Sequence, residues 1–168
     1  MSALKLAYCY LPSPVGDLLA ARDGETLHVL RFPTGRRVMK PPEQWVKDPS
    51  GFKHVSAQLD AYFNGELTAF DLPLHLTGTD FQKSVWTMLR EIPFGRTWSY
   101  GELATRVGNP KASRAVGAAN GANPIPIIVP CHRVIGSNKS LTGFGGGLET
   151  KEFLLKHEGV IEDAPRLL

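Results

Sequence analysis

The sequence has few cysteines and no long apolar segment, and both shortages exclude classes of protein. Its 168 residues include only two cysteines, Cys9 and Cys131, whose wide separation does not suggest a disulfide framework. No stretch approaches the roughly 18 consecutive apolar residues that a membrane helix needs. Residues 1–5 also lack the apolar core of a signal peptide. We therefore expect a cytoplasmic protein in a reducing compartment, without a membrane partner.

Patterns typical of bound metals and nucleotides are missing as well. The N-terminal side chains best suited to hold zinc are Cys9, His28, His54 and His75. Their spacing does not follow a zinc-site pattern. The glycine-rich residues 143–147 do not fit the sequence of a triphosphate-binding loop. We expect neither a metal nor a cofactor.

Acidic residues are scarce in the second half of the chain. Residues 1–80 carry 8 Lys and Arg against 9 Asp and Glu, whereas residues 81–168 carry 11 against 7. Between Lys83 and Lys139 there are 8 basic and 2 acidic residues, a net charge of +6. A basic region inside one domain is typical of a protein that binds a polyanion such as DNA. An ordinary solvated surface would also fit the charge taken alone.

The first half of the chain predicts a small sheet followed by a helix. Three short apolar segments, separated by turn signals, predict antiparallel strands at residues 4–10, 17–22 and 26–32. The proline-rich residues 33–51 predict an irregular loop. Apolar residues at helical spacing predict a helix over residues 52–64, and a short strand is predicted over residues 72–76.

Two predicted helices of the second half begin with the same local signal. Thr79 with Gln82, and Ser99 with Glu102, have the spacing of a capping box. In such a box the first side chain accepts a hydrogen bond from the backbone N–H of the residue three positions later. The side chain of that later residue accepts one from the backbone N–H of the first residue. The first helix is expected to end near Pro93.

The second and third predicted helices form a helix-turn-helix pattern. Gly108 separates them, and the third helix is predicted from an Asn109 cap, with Pro110 at its first position, to about residue 119. Residues 112–122 are mostly small, with basic groups near the start, so this backbone can approach DNA closely. The elements predicted after it are an apolar strand at residues 125–129, a hairpin around residues 137–140 and a helix at residues 150–157.

These elements predict an α+β chain of two domains. Residues 1–77 are expected to form a small N-terminal domain with an antiparallel sheet and a helix. Residues 78–168 are expected to form a mostly helical, winged helix-turn-helix domain that binds DNA and carries the reactive thiol.

The sequence PCHRV at residues 130–134 places a cysteine beside a histidine and an arginine. Cysteine attacks as the thiolate, and its ordinary pKa of about 8.5 leaves only a small fraction ionised at neutral pH. A neighbouring imidazole can take the proton, and nearby positive charge stabilises the sulfur anion. Taken alone, these residues fit either a nucleophile or a buried structural thiol beside a loop histidine.

Further motifs accompany this pentapeptide in order along the chain. They are IPFG at residues 92–95, SYGELA at 99–104, RAVG at 114–117, NP at 123–124, GFGGG at 143–147, KEFLL at 151–155 and HEG at 157–159. With these motifs, residues 79–160 resemble the O6-alkylguanine-DNA alkyltransferases, also called methylated-DNA–protein-cysteine methyltransferases. Residues 1–75 resemble that family only in general outline.

The resemblance implies DNA repair by direct reversal. Cys131 would take the alkyl group of O6-alkylguanine, and also of O4-alkylthymine, in one irreversible turnover. His132 would accept the thiol proton through a water, and Glu158 would orient His132 as in other nucleophile–base–orienter triads. Asn123 would brace the cysteine turn. Tyr100 would contact the guanine and help to rotate the nucleotide out of the stack.

The resemblance also implies which residues hold the base and the DNA. Substrate contacts are implied for Tyr100, Cys131, Val134, Phe144, Gly145 and Lys151, with the backbone groups of residues 131, 134 and 145 reading the guanine edge. Contacts to double-stranded DNA, without sequence preference, are implied for Tyr100, Lys111, Ala112, Ser113, Arg114 and Arg133. The third helix would lie in the minor groove, and Arg114 would fill the gap that the extruded nucleotide leaves.

One position departs from the family pattern, because Phe144 stands where most relatives have tyrosine. Its ring can still form a wall of the pocket, but it brings no hydroxyl to polarise the site. This change is expected to affect the rate or the tolerance for bulky alkyl groups.

Two other classes of function stay open at this point. A cysteine hydrolase built on Cys131, His132 and Glu158 would need an oxyanion hole and would turn over repeatedly. A winged-helix DNA-binding protein with an inert thiol would react with nothing. The hydrolase does not account for the basic helix-turn-helix, and the inert binder does not account for the combination of cysteine, histidine and glutamate.

Overall fold

The N-terminal part of the chain is a four-stranded sheet followed by one helix. The structure is a computed structural model and describes residues 5–136 and 144–161. The strands are β1 (Ala7–Leu11), β2 (Leu18–Asp23), β3 (Thr26–Arg31) and β4 (Val46–Lys47), in the order β3-β2-β1-β4, and the helix is α1 (Lys53–Phe63). The first three strands are antiparallel, as predicted, whereas β4 pairs in parallel with β1. The short strand β4 lies inside residues 33–51, which the sequence predicts to be irregular.

The C-terminal part is mostly helical. Its elements are α2 (Asp80–Leu89), β5 (Trp98–Ser99), α3 (Tyr100–Arg106), α4 (Ser113–Gly121), a 3-10 helix at Cys131–Arg133, β6 (Val134–Ile135) and α5 (Leu148–His157). Helices α3 and α4 pack on each other and on α2. The indole Nε1 of Trp86 on α2 donates to Ala119 O at 2.8 Å and so ties α2 to the last turn of α4. The predicted α+β class is confirmed, and the predicted hairpin around residues 137–140 lies outside the described residues.

Both predicted capping boxes are present. Gln82 N donates to Thr79 Oγ1 at 3.1 Å, and Thr79 N donates to Gln82 Oε1 at 2.9 Å. The second box has the same two bonds, at 3.0 Å from Glu102 N to Ser99 Oγ and at 3.2 Å from Ser99 N to Glu102 Oε1. The starts of α2 and α3 therefore follow from local sequence signals, each made by two residues three positions apart.

Two predicted strands are not strands. Residues 72–76 make a single bridge, between Leu27 of β3 and Leu74, with Leu27 N donating to Pro73 O at 2.9 Å. Residues 125–129 form a buried turn, in which Val129 N donates to Ile125 O at 3.0 Å and Ile127 has a φ of 73°. A short apolar run predicts burial, but it does not distinguish a strand from a buried turn.

The predicted start of the third helix is also wrong. Helix α4 begins at Ser113 after Ala112, which makes no side-chain cap. Asn109 instead opens a turn with Pro110 next to it, because Ala112 N donates to Asn109 O at 3.0 Å. The fixed φ of proline suits the second position of a turn as well as the first position of a helix, so the sequence signal was ambiguous.

The two parts of the chain share one apolar core, which includes Leu30, Tyr62, Trp86, Ile125 and Leu154. Strand β3 is an edge strand, and two different segments cover its free edge. The first is Pro73, and the second is Pro124, whose carbonyl accepts a hydrogen bond from Leu30 N at 3.0 Å. The predicted domain boundary between residues 77 and 78 lies just before α2 and stays a prediction.

Candidate active site

Cys131 lies at the end of the buried turn and begins the 3-10 helix. Its N–H donates to Val129 O at 2.8 Å, and Arg133 N donates to Pro130 O at 3.0 Å. The thiol is almost fully buried, with 4% of the residue exposed. The apolar residues before it therefore place the sulfur in the interior, at the point where the chain turns back.

Two asparagines hold the cysteine turn. Asn123 Nδ2 donates to Val129 O at 2.8 Å, and Asn123 Oδ1 accepts from Ile125 N at 2.9 Å. Asn120 Nδ2 donates to Cys131 O at 3.3 Å. The structure thus places Asn123 where the sequence expects a brace, and it adds Asn120, which the sequence analysis did not identify.

His132 and Glu158 are brought together from two distant parts of the chain. His132 Nε2 lies 2.6 Å from Glu158 Oε2, and both side chains are fully buried. A carboxylate accepts, so Nε2 carries the proton of this bond and Nδ1 carries a lone pair. Nδ1 is buried and has no hydrogen-bond partner among the described residues. This is the tautomer that a general base requires.

Four other hydrogen bonds converge on the Glu158 carboxylate. Arg133 donates from Nε to Oε1 at 2.7 Å and from Nη2 to Oε2 at 3.0 Å. Tyr62 Oη donates to Oε2 at 2.6 Å, and Gly95 N donates to Oε1 at 3.3 Å. Burial opposes ionisation of Glu158, but the hydrogen bonds and charges of His132 and Arg133 hold the pKa of its carboxyl below the usual range. Glu158 is therefore ionised.

Burial also decides the charge of His132. It lowers the pKa of the imidazole below the ordinary value of 6.5, although Glu158 acts in the opposite direction. The histidine is therefore neutral near pH 7 and can accept a proton. Once protonated, it would face an ionised carboxylate 2.6 Å away, which stabilises the imidazolium.

The resting sulfur is a thiol. Burial raises the pKa of Cys131 to about 11, although the hydrogen bond with Asn123 and the charges of Lys151 and Arg31 lower it. A thiol with that pKa has very little thiolate at neutral pH. Its proton must therefore leave during the reaction, toward a base.

A small cavity opens beside Cys131, with a volume of about 20 Å³. Its walls come from both parts of the chain and are Arg31, Phe32, Arg37, Asn120, Gly121, Asn123, Pro126, Cys131, Phe144, Gly145 and Gly146. The rings of Phe32 and Phe144 pack with their centroids 5.6 Å apart. Arg37 N donates to Gly145 O at 3.2 Å, so the loop after β3 lies directly on the glycine-rich loop. This volume has room for about one water molecule and none for a purine.

The exposed face of α4 has basic residues at its start and small side chains along the rest of its length. Lys111 and Arg114 are exposed, whereas Ala112 and Ser113 are half-buried. Ala115 and Ala118 continue the exposed face along the helix. The ring of Tyr100, which is half-buried at the start of α3, lies beside Gly117 of α4. The structure therefore gathers the predicted DNA-contacting residues of α3 and α4 on one surface.

Two residues with predicted contacts to DNA or substrate have their charged groups engaged inside the protein. Arg133, predicted to contact DNA, is 6% exposed and binds Glu158 and, through Nη1, Ile92 O at 2.7 Å. Lys151, predicted to contact the substrate, is fully buried and donates from Nζ to Val134 O at 2.6 Å. Burial lowers the pKa of Lys151 to about 8. Each charge therefore has a partner in the interior, and the contacts of Arg133 with DNA and of Lys151 with the substrate stay predictions.

The backbone groups predicted to read the guanine edge are partly engaged. Cys131 O accepts from Val134 N as well as from Asn120 Nδ2. Val134 O accepts from Lys151 Nζ and keeps a second lone pair.

Two family models match the chain over most of its length. Residues 6–76 match the ribonuclease-like domain of the 6-O-methylguanine DNA methyltransferases, and residues 80–160 match their DNA-binding domain. The chain belongs to this family. As a member, it is a DNA-binding repair protein of the methylated-DNA–protein-cysteine methyltransferase class.

Individual relatives agree with this assignment. The methylated-DNA–protein-cysteine methyltransferase of Methanosarcina acetivorans is 55% identical over 90% of this chain and 97% of its own length. That of Haemophilus influenzae is 49% identical over 92% of this chain and 87% of its own length. A crystal structure of Mycobacterium tuberculosis OGT in complex with DNA has a TM-score of 0.85 and 51% identity, covering 90% of this chain and 92% of that one.

The N-terminal part supplies residues that the sequence analysis did not assign to the site. Tyr62 of α1 binds Glu158, and Arg31 and Arg37 line the cavity of Cys131. The alternating pattern of β3 and the helical spacing of α1 predict which residues are buried. They contain no signal for a contact with a residue some 96 positions away.

The described residues contain neither a candidate metal cluster nor a helix able to span a membrane. Within residues 5–136 and 144–161, no three histidine, cysteine or acidic side chains cluster closely enough to hold a metal ion. In the same ranges no helix has both the length and the apolar character needed to cross a bilayer. The expected absence of a cofactor stays a prediction.

Proposed function

We propose that the chain transfers a methyl or larger alkyl group from O6 of guanine in duplex DNA to Cys131, once per molecule. The observation that carries this is the buried array after the cysteine. His132 is held by Glu158 at 2.6 Å, and its other nitrogen has no partner among the described residues. A neutral imidazole in this tautomer is the base that a thiol with a raised pKa requires.

The reaction conserves one proton. The thiol proton passes to His132 Nδ1, through one water, while the sulfur forms a bond to the alkyl carbon. The bond between that carbon and O6 breaks, and guanine leaves with its electron pair and takes up one proton. Glu158 stabilises the imidazolium in between. The thioether product has no leaving group within reach of a second nucleophile, so the protein stops after one turnover.

Access to the sulfur requires that the target nucleotide leave the stack. Cys131 is buried, and its cavity of about 20 Å³ is smaller than a purine. We propose that α4 enters the minor groove with its small exposed face, that Arg114 fills the vacated space and that Tyr100 helps to rotate the nucleotide. The cavity would widen when the base enters. Because phosphate contacts would dominate the affinity, binding would be independent of sequence and would weaken with salt.

Mass spectrometry of the modified peptide tests the transfer itself. The protein is mixed with a duplex containing O6-methylguanine, and the peptide that holds Cys131 should gain one methyl group. A second duplex with O4-methylthymine tests the wider substrate range that the family resemblance suggests. An unmodified Cys131 peptide after complete demethylation of the DNA would overturn the proposal.

Stoichiometry separates this function from a cysteine hydrolase. With substrate in tenfold excess, one alkyl group per protein molecule should be removed before the reaction ends. Continued release of product would identify a hydrolase, because hydrolysis regenerates the thiol. Such a result would leave the geometry of His132 and Glu158 relevant but would reject the suicide mechanism.

Nucleotide extrusion is tested by changing Arg114. Arg114→Ala should slow repair of duplex DNA on the order of tenfold and leave reaction with free O6-benzylguanine unchanged, since a free base has no stack to leave. Arg96→Ala removes the same charge from another exposed position of the C-terminal part and serves as the control. Equal loss on the free base would assign Arg114 to the pocket and reject the placement of α4. The predicted cytoplasmic location, with association to the nucleoid on DNA binding, follows from this substrate and stays a prediction.

A further inference from the structure

One charged side chain of the N-terminal sheet reaches the cavity of Cys131. Arg31 is the last residue of the edge strand β3, and its half-buried side chain lines the same cavity as Cys131 and Asn123. None of the roles implied by the family resemblance involves it. Its position therefore raises the question of what the N-terminal sheet contributes to the reaction.

Two hydrogen bonds fasten the end of β3 to the segment that braces the cysteine. Leu30 N donates to Pro124 O at 3.0 Å, and Arg31 Nη1 donates to Asn123 O at 3.2 Å. Asn123 is the residue whose side chain binds Val129 O and Ile125 N. The guanidinium is thus held in a defined place relative to the turn that carries the sulfur.

Charged groups from several elements lie around Cys131. Helix α5 provides Lys151, whose Nζ is buried on Val134 O, and the loop after β3 provides Arg37. His132 follows Cys131 directly and is neutral, with the Arg133–Glu158 ion pair beyond it. Strand β3 provides Arg31, which stays protonated at any pH at which the protein is folded.

We propose that Arg31 is a positioning residue for Cys131, whose guanidinium stabilises the sulfur anion as the proton leaves and holds Asn123 against the cysteine turn. In this arrangement the N-terminal sheet takes part in the reaction of the C-terminal domain. The two cations, Arg31 and Lys151, belong to separate elements, so docking of the sheet completes the site.

The electrostatics agree with this placement. Burial raises the pKa of Cys131, and Asn123, Lys151 and Arg31 each lower it. Burial and then Arg37 lower the pKa of Arg31, whereas Cys131 raises it, as expected for two groups that attract each other when the sulfur is ionised. A cation in a partly desolvated cavity is screened less than one on the surface.

Alkylation by iodoacetamide measures the effect without DNA. Iodoacetamide reacts with the thiolate, so its rate is proportional to the thiolate fraction at pH values below the thiol pKa. Mass spectrometry of the peptide that holds Cys131 separates this reaction from that of Cys9. The proposal rests on Cys131 as the nucleophile of the proposed function, yet this probe needs no alkylated base. A protein that fails to demethylate DNA but shows the Arg31 effect would reject the proposed function and keep this inference.

Three variants divide charge from packing. Arg31→Gln should lower the iodoacetamide rate on the order of threefold at pH values well below the thiol midpoint, which corresponds to a rise of about half a unit in the pKa of Cys131. Arg31→Lys keeps the charge and should react near the wild-type rate. Arg36→Gln removes the same charge from an exposed neighbour and should match the wild type.

The same variants define the results that overturn the proposal. A wild-type rate for Arg31→Gln, or a rate for Arg31→Lys as low as that of Arg31→Gln, would show that the charge of residue 31 does not act on the sulfur. Thermal unfolding monitors whether each variant is folded. If Arg31→Gln does not fold, Arg31→Lys decides alone: a wild-type rate supports the proposal and a threefold loss rejects it.

Discussion

The chain buries two thiols to nearly the same degree, but only one has the surroundings of a nucleophile. Cys9 in β1 is 5% exposed and Cys131 is 4% exposed, and burial raises the pKa of both. Near Cys9, Arg22 and Asp48 act on the thiol pKa in opposite directions. Near Cys131, Asn123, Lys151 and Arg31 all favour the anion, and a neutral histidine follows in the chain. Burial alone therefore gives an inert thiol, and the polar array makes the difference.

The ion pairs near the two thiols differ in the same way. Arg22 and Asp48 lie 3.3 Å apart, and Asp48 is exposed enough for water to screen the pair. Arg133 and Glu158 lie 2.7 Å apart, and the Glu158 side chain is fully buried. The first pair is a surface contact, whereas the second fixes the carboxylate that orients His132. A buried pair is costly to break from one side, because the remaining charge stays in the interior.

Replacing the two thiols in turn should give the largest difference. Cys131→Ser should abolish alkyl transfer, since a serine hydroxyl is far less nucleophilic at neutral pH, and it should keep DNA affinity. Cys9→Ser should leave the transfer rate unchanged. Single-turnover assays with a methylated duplex measure the first quantity, and titration of unmodified duplex measures the second. Loss of transfer in Cys9→Ser, with an unchanged melting temperature, would contradict the assignment of the nucleophile.

Removing one charge from each ion pair comes next in size. Glu158→Gln leaves Arg133 buried without its partner and should lower the free energy of unfolding by about 3–5 kcal/mol. It should also slow transfer, because His132 loses the carboxylate that stabilises its charged form. Asp48→Asn should change both quantities little. Denaturant titration measures the free energy of unfolding. Equal losses in the two variants would show that the buried pair of Glu158 does not stabilise the fold more than the exposed pair of Asp48.

Much of the C-terminal part could be predicted from local signals. The capping boxes at Thr79 and Ser99 fix two helix starts. The PCHRV sequence, together with the family resemblance, predicts Cys131 as the nucleophile. These signals work because the interacting groups are at most a few residues apart. His132 and Glu158 were paired through the family resemblance, and the structure brings them to 2.6 Å.

Most of what the sequence could not predict concerns long-range partners, which local sequence does not encode. Arg133 and Lys151 were predicted to contact DNA and substrate, and the sequence did not show that acceptors from distant segments allow both side chains to be buried. Tyr62 and Arg31 looked like ordinary residues of a helix and a strand. Only the folded arrangement shows that they contact Glu158 and Asn123. The apolar run before Cys131 was predicted to be a strand, because a buried turn and a buried strand can have the same apolar composition.

Removing one hydroxyl should have a smaller effect than removing the carboxylate. Tyr62→Phe deletes a buried hydrogen bond to a charged group and should lower the free energy of unfolding by about 1.5–3 kcal/mol. Glu158 would then attract the His132 proton more strongly, so the pKa of His132 should rise and the acidic limb of the transfer rate should move to higher pH. Tyr10→Phe, at an exposed tyrosine next to Cys9, is the control and should change neither. A loss of stability without a shift of the limb would limit Tyr62 to a structural role.

The smallest expected effect is the pH dependence of transfer above neutrality, and it separates the two thiols again. Cys9 has no base beside it in sequence, so its alkylation by iodoacetamide should rise about tenfold per pH unit below its raised pKa. Transfer to Cys131 should change much less than this near pH 7, because the proton that leaves the sulfur is taken up again by guanine. Above about pH 8 it should fall, since Lys151 has a pKa of about 8 and then loses the charge that favours the sulfur anion.

Below neutral pH, the transfer rate should fall as His132 becomes protonated. Burial lowers the pKa of His132 below 6.5, so the imidazole is neutral at pH 7 and becomes protonated only as the pH falls through that lowered value. A protonated imidazole cannot accept the thiol proton, and transfer should fall about tenfold per pH unit beyond that point. Rate constants from single-turnover reactions across this range measure both limbs. If transfer instead rose tenfold per unit from pH 7 upward, as for Cys9, a free thiolate would be the reacting species. His132 would then not be its base.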